Sequence, residues 1–158
     1  MRLMEIMTTD VQTTSPAEDA EKAFQRMRTQ RVRHLVVLEG RRVVGVLSER
    51  DVGGTRGRAL RTGKTVGELM AGQVATASPT TTVRQAANLL RARTIGCLPI
   101  MEDGKLAGIV TLTDLLELLG RKTQISATVS SRYKPAHGSK WKPIRRIARA
   151  ERPPMFPR

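Results

Sequence analysis

Aromatic side chains are nearly missing from this chain. They make up 3% of 158 residues, and Phe24 is the only one before Tyr133. A core in the first 120 residues must therefore be aliphatic, built from Val, Leu, Ile, Met and Ala. Cysteine is scarcer still: the single Cys97 excludes an intrachain disulfide and a Cys-rich zinc centre. Within its apolar run Cys97 reads as a buried, inert thiol. His34 and His137 are the only histidines. They stand far apart and without acidic residues at ligand spacing, so neither a metal nor a resident cofactor is expected. No apolar run approaches the ~20 residues needed to cross a bilayer. The N-terminus also lacks the basic region, apolar stretch and cleavage site of a secretory signal. These absences point to a cytoplasmic protein with no membrane partner. No nucleophile–base pair is visible, so no catalysis is expected.

Acidic residues are missing from one end only. The net charge of +14 looks at first like a nucleic-acid signature. Residues 1–120, however, hold 17 Lys/Arg against 13 Asp/Glu, a net of +4, whereas residues 121–158 hold 11 Lys/Arg against Glu151 alone, a net of +10. The basic excess belongs to the tail, and the function of the first 120 residues must be argued without it.

What is present is a repeat. Shifted by 63 residues, the chain overlays itself without a gap. Met7 falls on Met70, Val11 on Val74, Thr13 on Thr76, Ser15-Pro16 on Ser78-Pro79, Leu35 on Leu98, Gly45 on Gly108, Ser48 on Thr111 and Asp51 on Asp114. A unit this long, occurring twice, is not a solenoid. It predicts two small α/β units related by a pseudo-twofold.

Each unit reads as β-α-β-β-α. In copy one, Val11–Thr14 is a short strand. Ser15-Pro16-Ala17-Glu18 offers a helix start with a proline in the first turn and a capping-box carboxylate. Ala20, Ala23, Phe24 and Met27 then form one apolar helical face. The runs 34–38 and 43–47, joined by Glu39-Gly40-Arg41, read as a hairpin, and Ser48 is expected to open a second helix. Copy two repeats this order, with Val74–Thr76 as strand, a helix carrying Val83, Ala86, Ala87 and Leu90, a second hairpin, and a last helix stopped by Gly120. Segments 3–7 and 66–70 read as single helical turns. The expected divisions are 1–54, a linker 55–64, 65–120, and a basic proline-rich tail 121–158. Arg56, Arg58, Arg61 and Lys64 read as solubilising residues of an exposed linker. The linker's Gly57 to Thr65 imitates a phosphate-binding loop, but has one residue too many between the glycines and no strand before it.

The most informative element is Gly45-Val46-Leu47-Ser48-Glu49-Arg50-Asp51 and its echo, Gly108 to Asp114, both G-x-x-[ST]-x-x-D. Glycine admits a close neighbour or ligand. A hydroxyl at a helix N-terminus suits an anion, and an Asp three residues on can accept from a ribose diol. The same spacing also makes a simple helix cap. A cap can be recruited by a ligand, so the two readings are compatible.

The tandem repeat, the Met7/Met70 lead-ins, the paired Ser-Pro and the paired G-x-x-[ST]-x-x-D resemble two cystathionine-β-synthase-type (CBS) domains, together a Bateman module. The resemblance covers about residues 1–120. It implies an α/β (α+β) fold of two β-α-β-β-α repeats packed through their sheets. It further implies a regulatory module that binds an adenine nucleotide or S-adenosylmethionine in the clefts between copies and signals to a partner protein. Residue by residue, Asp51 and Asp114 match ribose-binding aspartates, and Ser48 and Thr111 match hydroxyls near the phosphate. Thr13 and Thr76 lie on strands facing the base, and Arg33 and His34 stand where phosphate or base contacts occur. Gly45 and Gly108 complete the motif, and Arg50 can reach a phosphate bidentately. Copy two has Gly96, Cys97 and Thr113 in place of Arg33, His34 and Arg50, so copy one has the better electrostatics for an anion. Copy one also departs from the family pattern: Val36 stands where copy two keeps the strand proline, Pro99.

A homodimer is expected, because helix surface including parts of Phe24, Leu115 and Leu119 would otherwise be left exposed. The tail, with Pro135, Pro143, Pro153, Pro154 and Pro157 and three of the four aromatics, is expected to be flexible. Its cations beside Tyr133 and Trp141 leave an alternative open, a nucleic-acid-associated protein that binds polyanions through residues 121–158.

Overall fold

The computed structural model describes residues 1–122. The expectations for Tyr133, His137, Trp141, Phe156 and the polyanion-binding tail lie outside the described residues.

Copy one comprises β1 (Thr13–Thr14), α1 (Ala20–Gln30), β2 (His34–Glu39) and β3 (Arg42–Ser48). After a 3-10 turn at Gly54–Arg56 come the short α2 (Arg58–Arg61) and α3 (Val66–Leu69). Copy two comprises α4 (Val83–Arg93), β4 (Cys97–Glu102), β5 (Lys105–Thr111) and α5 (Leu112–Lys122). In copy one the antiparallel hairpin carries a parallel strand at its edge; in copy two the hairpin carries only an isolated parallel bridge there. Thr14 pairs with Val37 in β2, and Ala77 makes the equivalent single bridge to Ile100 in β4. Thus only one residue of the expected strand around Val74–Thr76 forms, one position beyond it.

The hairpins share an irregularity that sets which side chains face where. Val37 pairs with Gly45 and Leu38 with Val43, so Val44 is an extra residue; Ala107 is its counterpart in copy two. The bulge turns Val44 and Leu47 toward α1, where Leu35, Val37, Phe24 and Met27 bury with them. Val43 and Val46 instead join Val36, Cys97 and Ile109 in an apolar layer between the two sheets. Copy two packs Leu98, Ile100 and Val110 against Ala86 and Leu90 of α4 and Leu115 of α5. Ala87, expected on that face, is exposed.

The lead-ins cross. Leu3, in a 3-10 turn before copy one, is fully buried in the core of copy two, and Val66 of α3, before copy two, is fully buried in the core of copy one. Backbone bonds repeat the exchange in register. The Leu3 and Met4 amides donate to the Thr81 and Pro79 carbonyls, while the Val66 and Gly67 amides donate to those of Glu18 and Pro16. Thr8 then pairs with Ile109, and Ala71 with Val46, through reciprocal bonds of 2.9–3.1 Å.

This crossing corrects the reading of the Ser-Pro pairs. Pro16 and Pro79 start no helix; their carbonyls receive the crossing lead-ins. The helices begin later, where Asp19 accepts from the Lys22 amide and Thr82 from the Gln85 amide. Glu18, expected in a capping box, accepts instead from the Thr14 hydroxyl and from Arg26.

The region after β3 needs a second correction. Ser48 opens no helix: residues 49–53 are turns, followed by the 3-10 turn and α2. The supposed exposed linker also contains the largest fully buried side chain among the described residues, Arg61 at 2% exposure. Phe24 and Leu115, expected to be partly exposed, are buried, and α5 runs past Gly120 to Lys122. The large apolar residues exposed on α5 are Leu112, Leu116 and Leu119. No helix among the described residues is long and apolar enough to cross a membrane.

Candidate functional site

Ser48 ends β3, and Asp51 lies in the turn that follows. The Ser48 amide and hydroxyl donate to Asp51 Oδ2 at 2.8 and 2.7 Å, and the Asp51 amide returns a bond to Ser48 Oγ at 3.3 Å. Thr111 and Asp114 repeat the constellation at 2.6, 2.8 and 3.4 Å. Both motifs are therefore capping boxes. In copy two the box opens α5; in copy one it closes a turn. All chain hydrogen bonds to the Asp51 carboxylate, among the described residues, fall on Oδ2. Oδ1 is left to accept from another group.

The anion argument from a helix N-terminus does not apply in copy one. The amides of Glu49, Asp51, Gly53 and Gly54 are bonded to the carbonyls of Arg33, Ser48, Arg50 and Glu49. Positive charge comes from side chains instead.

Those side chains meet at a cavity of about 770 Å³ between the two copies. Copy one contributes Arg33 and His34 from the start of β2, Val46 from β3, and Ser48, Glu49, Arg50, Asp51, Gly53 and Gly54 from the turn. From copy two and the segment leading into it come Ala71, Gln73, the apolar pair Val74-Ala75, the loop Thr94-Ile95-Gly96 with Cys97, and Leu112 and Thr113 at the start of α5. One wall is thus uncharged and largely apolar, interrupted by Gln73, Thr94 and Thr113, and the other carries two guanidiniums and two carboxylates. Arg33 Nε lies 3.9 Å from Glu49 Oε2, a loose and solvent-exposed pair that leaves the guanidinium available.

His34 packs against copy two so closely that a Cβ on Gly96 would sit 2.8 Å from its Nε2. Burial lowers its pKa; Asp51 opposes this, while Arg33 and Arg50 add to it. The folded chain thus resists a proton that the unfolded chain accepts near the ordinary value of about 6.5. The associated stability is present above that value and is lost as pH falls through the folded pKa. Urea midpoints measured from pH 7.5 downward should therefore fall for the natural chain and fall less for His34→Gln. Parallel curves would show that His34 titrates alike in both states. Burial, with the charge of Asp51, pushes the Cys97 thiol up to about 12, so it is neutral and unreactive at physiological pH.

Of the residues singled out from the sequence, Arg33, His34, Ser48, Arg50 and Asp51 converge on this cavity. The others lie elsewhere. Thr13 is paired with Val36 in the sheet. Thr76 borders a second, shallower cavity of about 370 Å³ beside Arg41 and Arg42. Thr111 and Asp114 cap α5 away from the lining of the larger cavity. Gly45 and Gly108 lie beneath the crossing lead-ins: a Cβ on Gly45 would fall on the Met70 thioether, and one on Gly108 would come 2.8 Å from the Met7 sulfur. Their lack of a side chain therefore admits a neighbouring segment. The sequence reading missed Gly53, Gly54 and the 94–97 loop. The 63-residue shift places Gly96-Cys97 on Arg33-His34, a signal that could have found that loop. Among the described residues no group of His, Cys, Asp and Glu is arranged to hold a metal.

A pair of sheets packed face to face, each extended by a bridge from the other copy's lead-in, with a capping carboxylate beside an inter-repeat cavity, defines a tandem α+β module. The chain belongs to the CBS-domain family, whose pattern matches residues 3–52 and 66–121. It is 33% identical over 110 residues to the CBS domain-containing protein YhcV of Bacillus subtilis, covering 69% of this chain and 79% of that protein. The inosine-5'-monophosphate dehydrogenase of Korarchaeum cryptofilum is 33% identical over 107 residues, but the match spans only 22% of that enzyme. Among solved structures, the CBS domain pair of MJ0100, in complex with 5-methylthioadenosine and S-adenosyl-L-methionine, superposes with a TM-score of 0.71 at 22% identity, covering 78% of this chain and 98% of that one. CBSX2 in complex with AMP gives 0.65 at 23% identity, covering 76% and 97%.

Proposed function

We propose that the chain is a regulatory module, without catalysis of its own, that binds an adenine nucleotide or S-adenosylmethionine in the 770 Å³ cavity and signals its occupancy to a partner protein. One observation carries this reading: Asp51, whose bonds within the chain fall on Oδ2, lines a single cavity with Arg33, Arg50 and a wall that is uncharged and largely apolar. The base packs on Val46, Val74, Ala75 and Ile95. The ribose diol donates to Asp51, and the phosphates meet Arg33 and Arg50, whose planar guanidiniums suit bidentate contact. The adenosyl ligands of two folds similar to this one support the assignment.

The two capping boxes supply the test. Asp51→Ala and Asp114→Ala each remove the acceptor for a backbone amide and a hydroxyl, and each should lower the stability of the ligand-free protein by about 1 kcal/mol, the usual net worth of such bonds. A nucleotide at 100 times its dissociation constant should raise the natural chain's stability by about 2.7 kcal/mol. In a thermal-shift panel of AMP, ADP, ATP and S-adenosylmethionine, that gain should survive in Asp114→Ala and vanish in Asp51→Ala. Equal shifts in both variants, or no shift in the natural chain with any of the four, would refute the assignment.

We further propose a twofold homodimer. Leu112 and Leu116, one turn apart on α5, are 50% and 58% exposed, and apolar patches of this kind commonly mark an interface. Light scattering at micromolar concentration should return twice the chain mass; a monomer mass would end this proposal.

A further inference from the structure

We propose that Arg61, which lies outside the cavity, is the positioning residue that holds the cavity's turn in shape. The two copies support their motif turns differently. In copy two the capping box leads straight into α5, a helix of 11 residues whose own backbone bonds keep it rigid. In copy one there is no such helix. The cavity wall at Gly53 and Gly54 consists of two successive left-handed residues, at φ 74° and 58°, which glycine alone adopts without penalty.

Arg61 substitutes for the absent helix. Its Nη1 donates to the Val52 carbonyl at 2.7 Å and to the Gly54 carbonyl at 2.5 Å. Its Nε donates to Glu21 Oε2 of α1 at 2.7 Å, and the guanidinium lies 3.9 Å above the Phe24 ring. The side chain is 2% exposed. One planar fork thus ties the turn to the side of copy one that faces away from the other sheet. The arrangement also gives a reason for Phe24, the sole aromatic of the described residues: its ring is the floor on which the guanidinium stacks. A buried cation that serves two carbonyls, a carboxylate and a ring at once is hard to replace. Lysine is a point charge without the fork.

The affinity part of this inference rests on the nucleotide-binding reading; the rigidity part does not. Hydrogen exchange of the ligand-free full chain reads the rigidity. In Arg61→Met, the amides of residues 53–57 should exchange at least tenfold faster, while those of β4 and β5 are unchanged. Calorimetry with AMP, ADP, ATP and S-adenosylmethionine reads the affinity, which should weaken at least tenfold for whichever of them the natural chain binds. Arg61→Lys keeps a cation near Phe24, but its one nitrogen cannot stand at both the Nη1 position that holds the two carbonyls and the Nε position that holds Glu21, so it carries the same two expectations and replaces the Met variant should that one fail to fold. Natural exchange at 53–57 in a folded variant would overturn the proposal. So would faster exchange with unchanged affinity, because the pinned turn would then not serve the cavity. If the natural chain binds none of these four ligands, the function assignment fails, and exchange alone decides whether Arg61 holds the turn.

Discussion

Leu3→Ala should lower the unfolding free energy by about 2–5 kcal/mol, the range for a large aliphatic side chain removed from a core. The size of this effect is unusual for a third residue, since chain ends generally tolerate change. Leu3 is fully buried, however, among Ala86, Leu90, Leu98, Ile100, Val110 and Leu115. Nothing nearby can close the gap, because the segment is fixed on both sides of Leu3: Met1 accepts from the Val83 amide, and Thr8 is paired with Ile109. Equilibrium urea unfolding reads the loss directly. Met4→Ala, at a side chain that is 53% exposed, is the control and should change little. A loss below about 1 kcal/mol for Leu3→Ala would place it with ordinary surface substitutions and show that the lead-in is not part of the second core in solution.

Gly57→Ala should be destabilising by about 3 kcal/mol, the upper end of overpacking costs. Local propensity alone argues the opposite sign, because Gly57 sits at the start of α2 with φ −85°, and replacing glycine at a compatible angle usually stabilises by about 0.4–1 kcal/mol. Space decides the matter. An added Cβ would stand 2.3 Å from the Val52 carbonyl oxygen and 2.5 Å from Gly53 Cα. Both are backbone atoms, and the Val52 carbonyl is already held by Arg61, so the turn cannot step aside without breaking that bond. Gly72→Ala is the matched control, since nothing lies within 4 Å of its position. Thermal or urea unfolding of the pair should show opposite signs. A stabilised Gly57→Ala would mean that the turn is loose enough to move.

The features legible in the sequence were those fixed by local chemistry repeated twice. Compact apolar runs on either side of Glu39-Gly40 and Glu102-Asp103-Gly104 marked the hairpins, and the i, i+3, i+4, i+7 face of Ala20, Ala23, Phe24 and Met27 marked α1. The capping reading of Ser48/Asp51 and Thr111/Asp114 also follows from spacing alone. The helix starts were missed because Ser15-Pro16 is a strong local signal that a distant segment outcompetes: the Pro16 carbonyl is taken by Gly67, 51 residues away. Arg61 was misread for the same reason. A run of arginines among glycines looks solvated unless the partners at Glu21, Phe24 and Val52 are known, and no periodicity connects them. The cavity was half legible. The motif itself joined Arg50 to Asp51, and Arg33, His34 and Arg50 favoured copy one for an anion, but which residues of the second copy complete the cavity depends on how the sheets meet.

The crossed lead-ins mean that the half of the molecule touched by an N-terminal attachment is not the half adjoining it in sequence. The Met1 carbonyl is already the acceptor for Val83 at the first turn of α4. A tag, a fused domain or a tethered partner at the N-terminus therefore pulls first on the second repeat. The first repeat is gripped instead from the middle of the chain, through residues 64–71. Cutting the gene between the repeats would leave each product carrying its sibling's missing piece. The two fragments should be expected to fold together when mixed and to aggregate when kept apart.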